Sequence, residues 1–264
     1  MSIHKSSGKT AIVWSCAHSD PKTKNERFTW LGNLIYDIRP DYVIDLGDFY
    51  DMRSLNSYDT SNPKGVVSQN YEKDIEQGLD AQERIRHLFV KNKKKRPTFY
   101  GFEGNHEYRI KKAIDRDPRL QGSKYGISFK HLETDRFYDE YTEYKHSAPD
   151  IKEIDGVLYA HYFSSGGYGR AISGVHHAYT LTQNLNHSAT CGHSHKKDIY
   201  FKDGSYPIPI IGNVVGCFKG DDEPWAGQSN REWAKGVVIK RNIDQGNYDY
   251  QWVSMDSIKA EYSY

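Results

Sequence analysis

Residues 42–51 read Tyr42-Val43-Ile44-Asp45-Leu46-Gly47-Asp48-Phe49-Tyr50-Asp51. Tyr42 to Leu46 is a short, mostly apolar run of the kind that forms a buried strand. It ends at Gly47, and two carboxylates, Asp48 and Asp51, follow within four residues. Alone, a Gly-Asp pair after a strand is turn chemistry. Its neighbours make it more than that. Upstream, Thr10 to Ser15 predicts another strand, which runs into Cys16-Ala17-His18, and Phe28, Leu31, Ile35 and Ile38 recur at helical spacing up to Pro40. Downstream, Tyr71, Ile75, Leu79, Ile85 and Phe89 predict a long helix running into the basic run Lys91 to Arg96. Pro97 then opens a third strand that ends near Phe102, just ahead of Gly104-Asn105-His106-Glu107.

From about Ile110 to Asp150 the chain is rich in charge and Tyr without a clean period, and is read as an irregular insertion. Order resumes with a strand over Val157 to Ala160 ahead of His161, a helix from about Ile172 to Leu185, and a short strand into Cys191 ahead of Gly192-His193-Ser194-His195. Asp203-Gly204 and Gln245-Gly246 lie between apolar or alternating runs, which predicts antiparallel hairpins. The order is βα units first and hairpins last. This is an α/β chain, read as a single domain over residues 1–264.

Composition narrows the function classes. With 36 Lys+Arg against 35 Asp+Glu, the net charge of +1 excludes a polybasic surface as the main determinant of partners. Any nucleic-acid site must be a local patch. The 21 Tyr supply amphipathic core area and argue against disorder. No stretch approaches the ~18 apolar residues that span a bilayer, and no protein partner is indicated. Cys16, Cys191 and Cys217 have no framework spacing and suit a reducing, cytoplasmic setting.

Five clusters of metal-ligand residue types therefore each follow a predicted strand. In an open α/β sheet those strand ends face one rim, so distant residues can converge there. Imidazole, carboxylate, amide oxygen and thiol together suit Zn, Fe or Mn better than Mg or Ca.

With these motifs in this order, the sequence resembles the calcineurin-like metallophosphoesterase superfamily over Cys16 to His195. The resemblance implies a two-sheet β-sandwich flanked by helices, in four layers α/β/β/α, with the terminal hairpins in its second sheet. It also implies two divalent metal ions. One would be held by Cys16, His18, Asp48 and His195, and the other by Asp48, Asn105, His161 and His193. His106 stands at the family's general-acid position, with Asp51 as the residue that orients its ring. Two such cations ~3.5 to 4 Å apart activate a bridging hydroxide for attack on phosphorus.

The chain departs from the family at Cys16, where Asp is usual. A Cys there is similar to RNA lariat-debranching enzymes, and a thiolate ligand would favour Zn or Fe(II). Three readings of Cys16 stay open: a ligand, no ligand with a one-metal or weakly loaded first site, or half of a disulfide with Cys191, against which the reducing setting argues. Asp51 likewise orients His106 or caps the next helix. Arg170, in the Gly-rich stretch after His161, is a candidate phosphate contact, and at most one of His176 and His177 can face the site. The function expected is a binuclear phosphodiesterase or nuclease on nucleotides or single-stranded nucleic acid. Lys91 to Arg96, Arg170 and the rings of Tyr138 to Tyr144 would be its contacts. A phosphomonoesterase, a protein phosphatase or a non-catalytic scaffold of the same fold are the rivals. Met52-Arg53 after Asp51, where the protein Ser/Thr phosphatases carry Arg-Gly, counts against the phosphatase.

Overall fold

The computed structural model describes residues 8–56, 70–90, 96–166, 169–203, 209–220 and 222–263. Alternation along strand β1 (Lys9–Trp14) separates its layers. Ala11 and Val13 enter an apolar cluster with Ile211 and Val215, whereas Ile12 and Trp14 enter another with Phe28, Leu31 and Ile85. All four β1 residues are fully buried. The strand is thus covered by a second sheet on one face and by helices on the other.

From β1 the first sheet extends in parallel through β2 (Tyr42–Asp45), β3 (Thr98–Phe102) and β4 (Glu140–Thr142). On its other side β12 (Gly236–Asp244) pairs antiparallel with β1, and β13 (Asn247–Ser254) completes the order β13-β12-β1-β2-β3-β4. The second sheet contains β5 (Lys152–Ile154), β6 (Val157–Tyr159), β9 (Ala189–Cys191), β10 (Lys197–Lys202) and β11 (Ile210–Val215), in the order β10-β11-β9-β6-β5. A two-stranded ribbon joins β7 (Ser164–Ser165) to β8 (Arg170–Ala171).

Helices α1 (Glu26–Ile38), α2 (Tyr71–Arg86) and α6 (Met255–Tyr262) pack on the outer face of the first sheet. Helix α5 (His177–Leu185) covers the second, placing Ala178 and Leu181 against Ala189, Cys191 and Val214. The architecture is the four-layer α/β/β/α sandwich that the sequence led us to expect. No helix among the described residues is long and apolar enough to cross a membrane.

Several expectations need correction. Helix α2 stops at Arg86, whose buried guanidinium donates to Phe137 O and lies 4.1 Å from the centre of the Phe99 ring. Residues 91–95 of the basic run lie outside the described residues, and Arg96 pairs with Asp139 at 2.7 Å. Helix α5 begins at His177 rather than 172, because Gly174 adopts φ 111°, which no helix accommodates.

The β12–β13 hairpin joins the first sheet, not the second, through Ile12–Ile239 and Val13–Val238 pairing. The stretch over 110–150 is only partly irregular. With α3 (Tyr108–Arg116), α4 (Thr134–Phe137) and edge strand β4, it builds out the first sheet. Tyr138 is buried and donates to Asp45 Oδ2, and Tyr141 packs against the same core, so neither ring is free to stack on a base.

Candidate functional site

The loops after β1 and β2 continue the parallel pairing beyond the strands. Cys16 N–H donates to Gly47 O (2.9 Å), His18 N–H to Asp48 O (2.9 Å) and Ser19 N–H to Phe49 O (2.7 Å). This ladder carries Cys16 and His18 alongside Asp48. The loops after β3 and β9 close in through two glycines. A Cβ on Gly104 would collide with the Asp48 backbone, and one on Gly192 with Ser15. Glu107 then clasps the β2 and β3 loops. Its carboxyl accepts from the backbone N–H of Asp48 (3.0 Å), Gly104 (2.9 Å) and Tyr50 (2.8 Å).

The convergence strains the chain. Cys16, His18, Asp48, His193 and His195 have φ of 51°, 45°, 55°, 66° and 61°. Non-glycine residues in this left-handed region cost of order 1 kcal/mol or more each and cluster at functional sites.

Two sets of donor atoms result. In the first, single ligand atoms of Cys16, His18 and His195 lie within 4.8 Å of one another, with His18 Nε2 3.1 Å from His195 Nε2. In the second, His161 Nε2 lies 3.1 Å from Asn105 Oδ1, 3.1 Å from His193 Nδ1 and 3.2 Å from Asp48 Oδ2. Cys16, Asp48 and His161 also satisfy the same 4.8 Å limit, so Asp48 stands between the sets.

The rings are held in fixed tautomers. His161 Nδ1–H donates to Leu46 O (2.7 Å) and His18 Nδ1–H to Asp51 Oδ1 (2.9 Å), which turns each Nε2 inward. Such outer partners are what metal-binding imidazoles require.

Electrostatics agree with that orientation. Burial lowers His18 well below its ordinary pKa, His193 to about 4 and His195 to about 3, so all three present neutral rings. Burial acts on His161 too, but the Asp48 carboxylate outweighs it and holds that ring above its usual value. A proton on Nε2 is one way to neutralise this convergence, and a divalent cation is another. Burial, reinforced by Asp48, pushes the Cys16 thiol well up. Its ionisation calls for a cation beside it. Sulfur, imidazole, carboxylate and amide donors of this kind fit a transition metal or zinc.

Asp51 does more than orient one ring. Its Oδ1 contacts His18 Nδ1 and lies 3.0 Å from His106 Nδ1, whose N–H also donates to the Asp51 main-chain carbonyl (2.7 Å), and its Oδ2 lies 3.2 Å from Arg53 Nη2. It caps no helix, since Met52 is the N-terminal cap of the short turn at Arg53–Leu55. Despite burial, the two imidazoles hold its carboxyl well below the usual range.

His106 and Asp51 open onto a cleft of about 640 Å³, together with His18, Asp48, Asn105, His193 and His195. The sequence also missed the cations of this cleft. Arg53, Arg109 and Lys219 line it, with Glu223 and Trp233. Arg170 does not line it and lies exposed on β8. His177 Nδ1 contacts Ser194 Oγ (3.2 Å) beside the His193–His195 loop, while His176 is exposed. All three cysteines are free.

No protein-family model matches the chain, and neither does any curated protein. Among solved structures, it is similar to the phosphoesterase YfcE from E. coli. The match has 10% identity, 93% of this chain and 99% of that one covered, and a TM-score of 0.38. It is also similar to a cold-active protein-tyrosine phosphatase of a psychrophile Shewanella species. There the identity is 12%, the coverage 92% and 80%, and the TM-score 0.40.

Proposed function

We propose that this chain is a metal-dependent phosphoesterase with two divalent cations of the Zn, Fe or Mn kind, hydrolysing small phosphodiesters of nucleotide type. One observation carries the reading. Five strand ends bring seven ligand-type side chains together as two donor sets with Asp48 between them. Cys16, His18, Asp48 and His195 would hold one ion, and Asp48, Asn105, His161 and His193 the other. Bound there, the ions would supply Lewis acidity to a phosphate and to the attacking water.

The chain's own groups do the rest. Asp51 holds His106 by Nδ1, which leaves Nε2 on the cleft side to pass a proton to the leaving oxygen. Charge pairing supports the diester. Arg53 is tied to Asp20 (2.7 Å), Asp51 and Glu223 (2.9 Å), and Lys219 to Glu223 (2.8 Å). With Arg53 and Lys219 neutralised in this way, few side-chain charges are left beyond the proposed ions to hold extra phosphate charge, which suits a singly charged diester better than a monoester dianion or a long polyanion.

The test combines elemental analysis with hydrolysis of bis-p-nitrophenyl phosphate, p-nitrophenyl phosphate, a dinucleotide and a labelled single strand under Zn, Fe(II) and Mn. We expect two ions per chain, with the diester and the dinucleotide cleaved fastest. Protein that binds ions but cleaves none of these would be a scaffold, and binding of at most one ion would remove the two-ion centre.

A further inference from the structure

We propose that Arg109 is the residue that grips the substrate's phosphate, resting on the phosphoesterase reading above. The charge pattern of the cleft isolates it. Arg53 and Lys219, the other cations lining the cleft, are both committed to carboxylates. Among the described residues Arg109 pairs with no carboxylate. It follows His106 by three positions, on the first turn of α3, which brings its side chain back over the β2 loop.

Its hydrogen bonds pin one end of the guanidinium and leave the other available. Nη1 donates to Asp51 O (2.7 Å) and Met52 O (3.3 Å), and Nη2 lies 3.2 Å from His106 Nε2. The Nε–H has no acceptor among the described residues, and the Nη2 hydrogens lose theirs once His106 Nε2 carries the proton it is to pass on. A guanidinium anchored by backbone carbonyls loses little freedom on binding, and its free edge presents two parallel donors matched to two phosphate oxygens. The same edge faces His106 Nε2. An ester oxygen held by Nη2 would therefore sit where that ring nitrogen can reach it. The cleft would take one phosphate per substrate molecule at this point, in line with a small diester.

The experiment titrates inorganic phosphate into manganese-loaded protein by calorimetry, alongside kcat and KM for bis-p-nitrophenyl phosphate. Arg109→Met should weaken phosphate binding about 10- to 100-fold and raise KM, with both ions retained. Arg109→Lys, which keeps the charge and stem but loses the fork, should recover only part. Arg53→Met serves as the comparison and should weaken phosphate binding less than Arg109→Met.

Equal phosphate affinity in Arg109→Met and the parent would overturn the assignment, as would a parent that binds no phosphate. A variant that loses ions and thermal stability while Arg109→Lys restores everything would reduce Arg109 to a structural tie, and also overturn it. A parent that binds phosphate yet hydrolyses no ester would end the phosphoesterase reading. The titration would still decide the role of Arg109.

Discussion

Two clefts of almost equal size, about 640 and 630 Å³, open on this molecule, one at the carboxyl end of β1 and one at its amino end. Both are lined by charged groups, and both border left-handed residues. At the amino end Asp155-Gly156 and Gln245-Gly246 have positive φ because they are the two-residue turns of the β5–β6 and β12–β13 hairpins. That is turn chemistry, with glycine second. Its charges are wet, as in the Lys9–Asp155 pair, where Lys9 is 57% exposed. At the carboxyl end no hairpin explains Cys16, His18, Asp48, His193 or His195, and of these Cys16, His18 and Asp48 are buried while His193 and His195 are half-buried at the cleft wall. Volume and charge do not distinguish a site here. Strain without a turn and titratable groups without water do.

The contrast can be broken by mutation, most sharply at Asp48. Asp48→Asn takes the negative charge from between the two donor sets, and elemental analysis should show both ions weakened together, with hydrolysis falling to background. Loss of one ion alone would mean that the sets do not share it. His106→Ala should lower kcat by a factor on the order of 10² to 10⁴ with ion content intact, and less for good leaving groups than for alkyl esters. Equal losses for both esters would remove the proton-donor role.

Lys240 tests burial without convergence. It is fully buried between the sheets, its ammonium hydrogen-bonded among the described residues to Tyr159 Oη (3.1 Å) and Thr190 Oγ1 (2.6 Å), and burial drives its pKa well below 10.5. The unfolded chain then binds one proton more than the folded chain between that lowered value and 10.5. Stability should rise with pH across this window, and the charge penalty should be complete below it. Lys240→Met should flatten the slope by up to about 1.4 kcal/mol per pH unit, measured by urea unfolding between about pH 6 and pH 9. Parallel curves would place the lysine's folded-state pKa above that range.

Cys16→Asp should keep activity while raising the Mn-to-Zn activity ratio roughly tenfold, and an unchanged ratio would show that the thiol is no ligand. The smallest effect belongs to the other cleft. Lys9→Ala should leave hydrolysis unchanged and move stability by no more than about 1 kcal/mol. A drop in turnover would give that cleft a function after all.

The convergence of these clusters was legible because each combines a local strand pattern with unusual residue types directly after it, and chain order alone puts those ends on one rim. The clusters that hold Cys16, His18, Asp48, Asn105, His161, His193 and His195 could be named without coordinates for this reason, while the choice of these seven within the clusters came from the family resemblance. What could not be read depends on non-local partners. Nothing local says that Gly236 to Asp244 pairs with β1, since its alternation would suit either sheet. Arg53, Arg109 and Arg170 look alike as residues, and only the carboxylates around them separate a committed cation from a free one. Glu107 sits inside a named motif, yet its clasp on three amides needs the β2 loop folded against it. Tyr138 and Tyr141 read as surface rings because much of their cover, Gln82 of α2 on Tyr138 and the β3 backbone at Gly101 against both, comes from other parts of the chain.

The two halves of the centre also differ in what can be inherited. His161 is oriented by the carbonyl of Leu46, a backbone atom that every residue type supplies, so no substitution at position 46 deletes the hydrogen bond. His18 is oriented by the side chain of Asp51, which a single codon change can remove, and the same carboxylate also serves His106 and Arg53. One half is insulated from genetic drift, and the other hangs on one codon. With ions held as proposed, the Cys16–His18–His195 side is where descendants of this protein can change their metal, or lose it, in one step. On the same reading, the Asn105–His161–His193 side should persist longest in copies that have lost the proposed activity.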